Sequence, residues 1–312
     1  MSAVSGILNI NKPQGLTSRD VVNRVLWKLR DETGKRKIKV GHCGTLDPLA
    51  TGVLVVCVGS ATRLVSTIQD LPKTYRGTFQ LGLTTDTDDI TGNVLREVPV
   101  KAGDFPASAI DDLLPDFTGR ISQRPPRFSA IHVDGKRAYE LARKGEDVEL
   151  EQREVDVYEL ALLRFKSPEF ELLIRCGSGT YVRSIGRDLG EWLRCGATMT
   201  ALERTAIGGF ETDSALDLES ISEGSVVERL LPPVDGVTHL RRVRISAEQA
   251  ALVRNGRSLP LELTAIEPPS LKLPAEPSEM RIALIGPADE LIAIAGGGRR
   301  GGQLQPQVVF RD

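Results

Sequence analysis

Hydrophobic and polar positions follow two rhythms along this chain, one of period two and one near 3.6, and each change of rhythm marks an element. Gly6-Ile7-Leu8-Asn9-Ile10 reads as a short strand, ended by the turn residues Asn11-Lys12-Pro13-Gln14-Gly15. Val21, Val22, Val25, Leu26 and Leu29 then recur at helical spacing, and Thr17 to Asp20 supplies the hydroxyl and carboxylate of a capping box. Val53 to Val58 is continuously apolar and reads as a buried strand, and Gly59-Ser60-Ala61-Thr62 opens another helix. Tyr75 to Leu83 alternates in part, as a half-exposed strand does. Phe105 to Phe117 reads as helical, Arg120 to Pro126 as a loop, and 137–144 as a helix. Phe170 to Cys176 is a strand that stops at Gly177-Ser178-Gly179. Val182, Ile185, Leu189 and Leu193 line one face of a helix from Tyr181 through Trp192.

Near residue 235 the composition shifts. Leu259 to Met280 is dense in Pro, Glu and Ser and reads as a loop. Beyond it come three short strands, Arg281 to Gly286, Leu291 to Gly296 and Gln307 to Phe310, separated by Gly-rich turns. This is the pattern of a small β-barrel appended to a larger α+β domain, and it divides the chain into 1–238 and 239–312. A length of 312 residues allows two such domains. The net charge of -2 announces no nucleic-acid partner, so any basic surface is local. One such surface is Lys35-Arg36-Lys37-Ile38-Lys39, readable as a solvated linker or a phosphate-contacting patch. The four cysteines, with no Cys-x-x-Cys pair, read as reduced thiols. With no signal-like or membrane-spanning apolar run, the expectation is a soluble cytoplasmic protein.

Candidate chemistry concentrates in Gly41-His42-Cys43-Gly44-Thr45-Leu46-Asp47-Pro48-Leu49-Ala50-Thr51-Gly52, which places one carboxylate, Asp47, in a Gly-rich loop before the Val53 strand. Asp47 there is either a nucleophile or a turn-former, and its proline neighbour disfavours helical geometry. Thr85-Asp86-Thr87-Asp88-Asp89-Ile90-Thr91-Gly92 fails the calcium-loop pattern, its glycine coming one position late, and reads as an exposed hairpin turn. Gly296 to Gly302 lacks the Gly-Lys-Ser/Thr ending of a phosphate-binding loop. Lys73-Thr74-Tyr75-Arg76 and Gly179-Thr180-Tyr181-Val182-Arg183 set tyrosines beside cations. That suits base stacking and phosphate contact, and equally suits core-edge tyrosines with exposed arginines.

Taken in order, these segments resemble the TruB family of tRNA pseudouridine-55 synthases. The likeness rests on Asn11 to Ser18, Gly41 to Gly52, Lys73 to Arg76 with Leu81-Gly82, Thr85 to Asp88, Ser129-Ala130 with Gly135-Lys136, and Gly179 to Arg183. Cys43 departs from the family pattern, standing where Thr or Gly is expected. The resemblance implies an α+β core on a mixed, largely antiparallel sheet, followed by a C-terminal PUA-like RNA-binding β-barrel. It implies isomerisation of a T-loop uridine of tRNA after base flipping, by a monomer needing no cofactor, metal, membrane or obligate protein partner. By the same resemblance Asp47 is the catalytic carboxylate, and His42 lies near the displaced base. Tyr75, Tyr181 and Leu202 line the uracil pocket, and Arg183 pairs with the carboxylate. Two rival readings remain, an RNA-binding protein that lost the reaction and a hydrolase that would need a second carboxylate.

Overall fold

The computed structural model describes residues 4–129, 132–133, 136–137, 150–261, 266–274, 281–297 and 302–310. The chain divides into two compact units, Met1–Leu71 with Ala206–Asp312, and Pro72–Thr205.

In the first unit, the strand Gly6–Lys12 pairs antiparallel with Thr51–Val58 and parallel with Leu216–Asp217, while Val40–His42 pairs with the far end of Thr51–Val58. The helix Ser18–Thr33 begins as expected. The Thr17 hydroxyl accepts from the Asp20 N–H, and the Asp20 carboxylate accepts from the Thr17 N–H. Val21, Val22, Val25 and Leu29 pack onto Leu8, Ile10, Leu54 and Val56, so the helical and strand periodicities meet in one core. The opposite side of the same strands, Ile7, Val53, Val55 and Cys57, shares a second core with Leu240, Ala283, Ile285, Leu291, Ile294 and Phe310. Ala283, Ile285, Leu291 and Ile294 belong to a six-stranded sheet in the order Leu259–Pro260, Gln303–Val309, Leu291–Gly297, Arg281–Ile285, Arg241–Arg244, Ile266–Glu267, and Leu240 and Phe310 flank its strands. Within it only Arg241–Arg244 and Arg281–Ile285 run parallel. The three strands expected after residue 280 are all present there.

The second unit stacks its strands in the order Ala197–Ile207, Lys73–Leu81, Glu169–Cys176, Arg153–Lys166, Gly119–Gln123. Phe79 and Phe170 sit opposite each other in register, with ring centroids 5.1 Å apart. The helix Val182–Trp192 covers them, burying Val182, Ile185 and Leu189 as its periodicity requires. Gly186 makes this contact possible, since a Cβ there would lie 2.2 Å from the Phe79 ring.

Several expectations require correction. The Phe105 to Phe117 segment is not one helix but a turn of helix at Ser108–Asp111 and a 3-10 turn at Leu114–Phe117, because Pro115 ends the first. Arg120 to Pro126 is not all loop, since Gly119–Gln123 is an edge strand on Arg153–Lys166. That long strand and Ala197–Ile207 were not expected. Register shifts between Val157 and Glu159, and between Leu162 and Arg164, break the alternation that would reveal the first. The helix expected over 137–144 lies outside the described residues apart from Arg137, the end of a two-residue strand. Thr85 to Gly92 does join a hairpin, Leu83–Thr85 with Val94–Glu97, but Thr85 and Asp89 within it are buried rather than exposed.

Candidate active site

The Gly41–Gly52 loop is held from outside itself by the first turn of the chain. Ser18, buried at the start of its helix, spans both backbone groups of Leu46. The Leu46 N–H donates to Ser18 Oγ at 2.8 Å, and that hydroxyl donates to the Leu46 carbonyl at 3.2 Å. On the other side of Asp47, the Gly15 N–H donates to the Pro48 carbonyl at 2.7 Å. Asp47 is therefore clamped between two neighbours whose backbones are tied to residues 15–18. Pro48 occupies the second position of a turn closed by the Ala50 N–H on the Asp47 carbonyl at 3.0 Å, a position proline's fixed φ suits. Gly44 and Gly52, at φ 127° and 94°, take backbone conformations that a side chain would strain.

The bracing turn has its own buried cation. Lys12 is buried and donates through Nζ to the carbonyls of Pro13 at 3.0 Å and Leu16 at 2.7 Å, which ties the turn together. The Asn11 to Ser18 segment thus supports the Asp47 loop, a task the sequence alone did not assign. His42 ends its strand half-buried, in register with Val56. Next to it the Cys43 N–H donates to the Val55 carbonyl, and Cys43 Sγ lies 3.5 Å from Cys57 Sγ. Both cysteines are free, as expected. The contact with Cys43, and then burial, push the Cys57 thiol well above its usual range, so it stays protonated.

The other expected site residues belong to the second unit. Tyr75 lies on Lys73–Leu81 opposite Ile174. Lys73, two residues earlier, is buried and donates to Ser178 Oγ at 2.6 Å, which fastens the loop leading into Tyr181. Tyr181 caps the helix Val182–Trp192 without using its own side chain. Gln123 fixes its backbone instead, accepting from the Tyr181 N–H at 2.8 Å and donating to its carbonyl at 3.1 Å. The Arg153 guanidinium stands 5.4 Å from the Tyr181 ring centroid, a cation–π distance. Leu202 is half-buried on the Ala197–Ile207 strand.

Arg183 is almost wholly buried in the first turn of its helix. It donates to the Thr87 carbonyl at 2.8 Å and the Phe128 carbonyl at 3.2 Å, and lies 3.4 Å from Asp89 Oδ2. The other oxygen of Asp89 accepts from Thr87 Oγ1 and the Thr91 N–H, both at 3.0 Å, and from Thr91 Oγ1. The hairpin carboxylates therefore face different partners instead of one cation. Asp86 accepts from Asn93, Asp88 meets Arg187, and Asp89 meets Arg183. Within the first unit His42 and Asp47 share one loop, and within the second Tyr181 and Arg183 flank one helix start. Sequence reasoning missed Ser18, Gln123 and Asp89. A signal existed for the last: Arg183 and Arg187, four apart on a helix, need carboxylates facing their common side.

The description "TruB family pseudouridylate synthase (N terminal domain)" matches residues 30–182, and "tRNA pseudouridylate synthase B C-terminal domain" matches residues 183–237. A Prochlorococcus marinus protein named tRNA pseudouridine synthase B is 35% identical over 316 residues, covering 99% of this chain and 98% of its own. A Microcystis aeruginosa protein of the same name is 42% identical over 264 residues, covering 84% and 86%. Among solved structures, that of a Cbf5-Nop10-Gar1 complex contains a chain with a TM-score of 0.71 and 26% identity, covering 98% of this chain and 85% of that one. These matches, running in sequence order through the loop and helix just described, place the chain in the TruB family of pseudouridylate synthases.

Proposed function

We propose that this chain isomerises a uridine of the tRNA T loop to pseudouridine, with Asp47 as the carboxylate acting on the flipped nucleotide. The observation that carries this reading is the loop with its one carboxylate, tied at Leu46 and Pro48 to the turn before the first helix, in a chain similar over its length to relatives named tRNA pseudouridine synthase B. The reaction breaks the N1–C1′ bond, rotates the uracil and joins C5 to C1′, and the proton that C5 gives up is balanced by one taken up at N1. It consumes no second substrate, and this reading assigns it neither cofactor nor metal. A base inside folded RNA must first leave its stack, at about a few kcal/mol.

In this reading His42 fills the space the base vacates, and Tyr75, Tyr181 and Leu202 line the uracil pocket. Arg183 supplies the positive charge that keeps an acting carboxylate ionised in a partly closed site. Residues 239–312 form a PUA-like element on which exposed cations such as Arg241 and Arg257 meet the RNA backbone. The protein works in the cytoplasm as a monomer without an obligate protein partner.

Chemical mapping of pseudouridine in total tRNA, with and without the protein, tests the activity. Asp47→Asn should abolish product in a T-stem-loop RNA while affinity stays within about tenfold, or about 1.4 kcal/mol. Substantial activity in that variant removes Asp47 from the role, and release of free uracil replaces isomerisation with hydrolysis. For the C-terminal residues, Arg241→Glu with Arg257→Glu should flatten the salt dependence of tRNA affinity. An unchanged slope would show that this sheet does not meet RNA.

A further inference from the structure

Two arginines four residues apart on the helix Val182–Trp192 meet two adjacent aspartates on the 85–92 turn, Arg183 with Asp89 and Arg187 with Asp88. Of these four side chains the functional reading uses Arg183 alone. We propose that the Arg187–Asp88 pair is a positioning couple for the reaction, holding the turn so that Asp89 is aimed at Arg183. The proposal rests on the reading of Arg183 given above.

The backbone explains why such a couple is needed. Asp88 sits at φ 60°, in the left-handed region that non-glycine residues rarely occupy. Its carbonyl accepts from the Met199 N–H at 3.2 Å, and the Ile90 N–H donates to the Met199 carbonyl at 2.9 Å. The strand at Met199 therefore grips the backbone on both sides of Asp89, and the long Asp88 N–H to Thr85 carbonyl bond, 3.4 Å, closes the turn only weakly. The Asp88 carboxylate supplies the third point of attachment, accepting from Arg187 Nη1 at 2.9 Å. Arg187 is itself fixed, since Nε donates to Asp188 Oδ1 at 2.8 Å and Nη2 to the Arg124 carbonyl at 2.8 Å. Because the helix advances four residues between Arg183 and Arg187, the two contacts set both the position and the tilt of the turn. The rim of a cavity of about 660 Å³ includes Asp88, Arg187 and Asp188, so the couple borders open space on one side and is not locked by packing there.

The arrangement also says how to test it without unfolding the chain. Asp88→Gly accepts φ 60° without strain, so it should fold at least as stably as the parent while losing the contact to Arg187. Asp88→Asn keeps the shape and tolerance of the left-handed region and removes only the charge. In both variants Arg187 keeps Asp188 and the Arg124 carbonyl. Single-turnover pseudouridine formation at saturating T-stem-loop RNA, RNA affinity and urea midpoint are measured for each.

The expected result is a rate at least tenfold slower in both, with affinity within threefold and the Asp88→Gly midpoint unchanged or raised. Gly186→Ala, which loads the same helix through Phe79 without touching the pair, serves as the structural comparison. It should lower the midpoint and leave the saturated rate within threefold. Parental rates in Asp88→Gly and Asp88→Asn overturn the couple, as does a rate loss in Gly186→Ala as large as theirs. A parent chain that forms no pseudouridine defeats the functional reading instead, so the two failures are distinct.

Discussion

Replacing Ser18 by alanine should disturb the Asp47 loop although the residue is itself buried. The hydroxyl is the only group that either backbone atom of Leu46 is seen to share with the helix start, at 2.8 Å from its N–H and 3.2 Å from its carbonyl. Ser18 and Leu46 are exposed by only 2% and 3%, so water does not readily replace what is lost. An orphaned buried N–H costs about 1–3 kcal/mol, while the gain in helix propensity from alanine is about a few tenths, leaving a net loss of about 2 kcal/mol. If that energy is what separates the observed loop from a displaced one, the same 2 kcal/mol corresponds to about 30-fold in the population of the reactive arrangement. Urea unfolding reads the stability, and single-turnover pseudouridine formation on a T-stem-loop RNA reads the loop. Ser18→Ala is expected to lower both, the rate by about tenfold to thirtyfold, with RNA affinity nearly unchanged. A variant within 0.5 kcal/mol and twofold of the parent, about the scatter of an ordinary surface substitution, refutes the clamp.

Gly186→Ala gains helix propensity of about 1 kcal/mol but drives a Cβ to 2.2 Å from the Phe79 ring, so its net effect should be a loss of about 1–3 kcal/mol, read by urea midpoint; stabilisation would mean that Phe79 moves freely. Burial pushes the Asp188 carboxyl up to about 6 despite Arg187 beside it. The folded chain then holds a proton that the unfolded chain, with a carboxyl near 3.9, has released. Stability contributed by this group is therefore present below about pH 4 and lost as pH rises to about 6. Asp188→Asn should abolish that loss, on the order of 2 kcal/mol, and urea midpoints of parent and variant that stay parallel from pH 4 to 6.5 would contradict the assignment. Deleting the chain after residue 238 removes Leu240, Ala283, Ile285, Leu291, Ile294 and Phe310 from the core they share with Ile7, Val53 and Val55, a loss of roughly 10 kcal/mol and of the order of a whole domain's stability. The shortened chain should be insoluble or molten, and a soluble monomer with native near-UV dichroism would disprove the shared core.

Legibility in the sequence followed how local the cause was. The start and buried face of the first helix were readable, because the Thr17–Asp20 capping box and the Val21 to Leu29 periodicity are both satisfied within one segment. The Val53 strand was readable for the opposite reason: buried on both faces, it has no polar position to confuse the pattern. Arg153–Lys166 failed because its two register shifts turn an alternating strand into one that changes face in mid-course, and each shift is decided by the neighbouring strand. The 85–92 turn was misread more instructively. Turn residues such as Thr, Asp and Gly are chosen for φ and for local hydrogen bonds, and those demands are the same whether the turn meets solvent or a helix. What distinguished the two was Arg183 and Arg187, about a hundred residues later, since two arginines on one side of an amphipathic helix require carboxylates that the helix itself does not place there. The same logic applies to the Asp47 loop. Its residues announce a carboxylate in a turn, yet the hydrogen bonds that immobilise Asp47 come from Gly15 and Ser18, residues whose own neighbourhood reads only as a strand end and a helix start. If Asp47 is the acting carboxylate, as proposed, it needs a fixed backbone more than it needs unusual neighbours, and that fixing is carried by ordinary residues elsewhere in the chain.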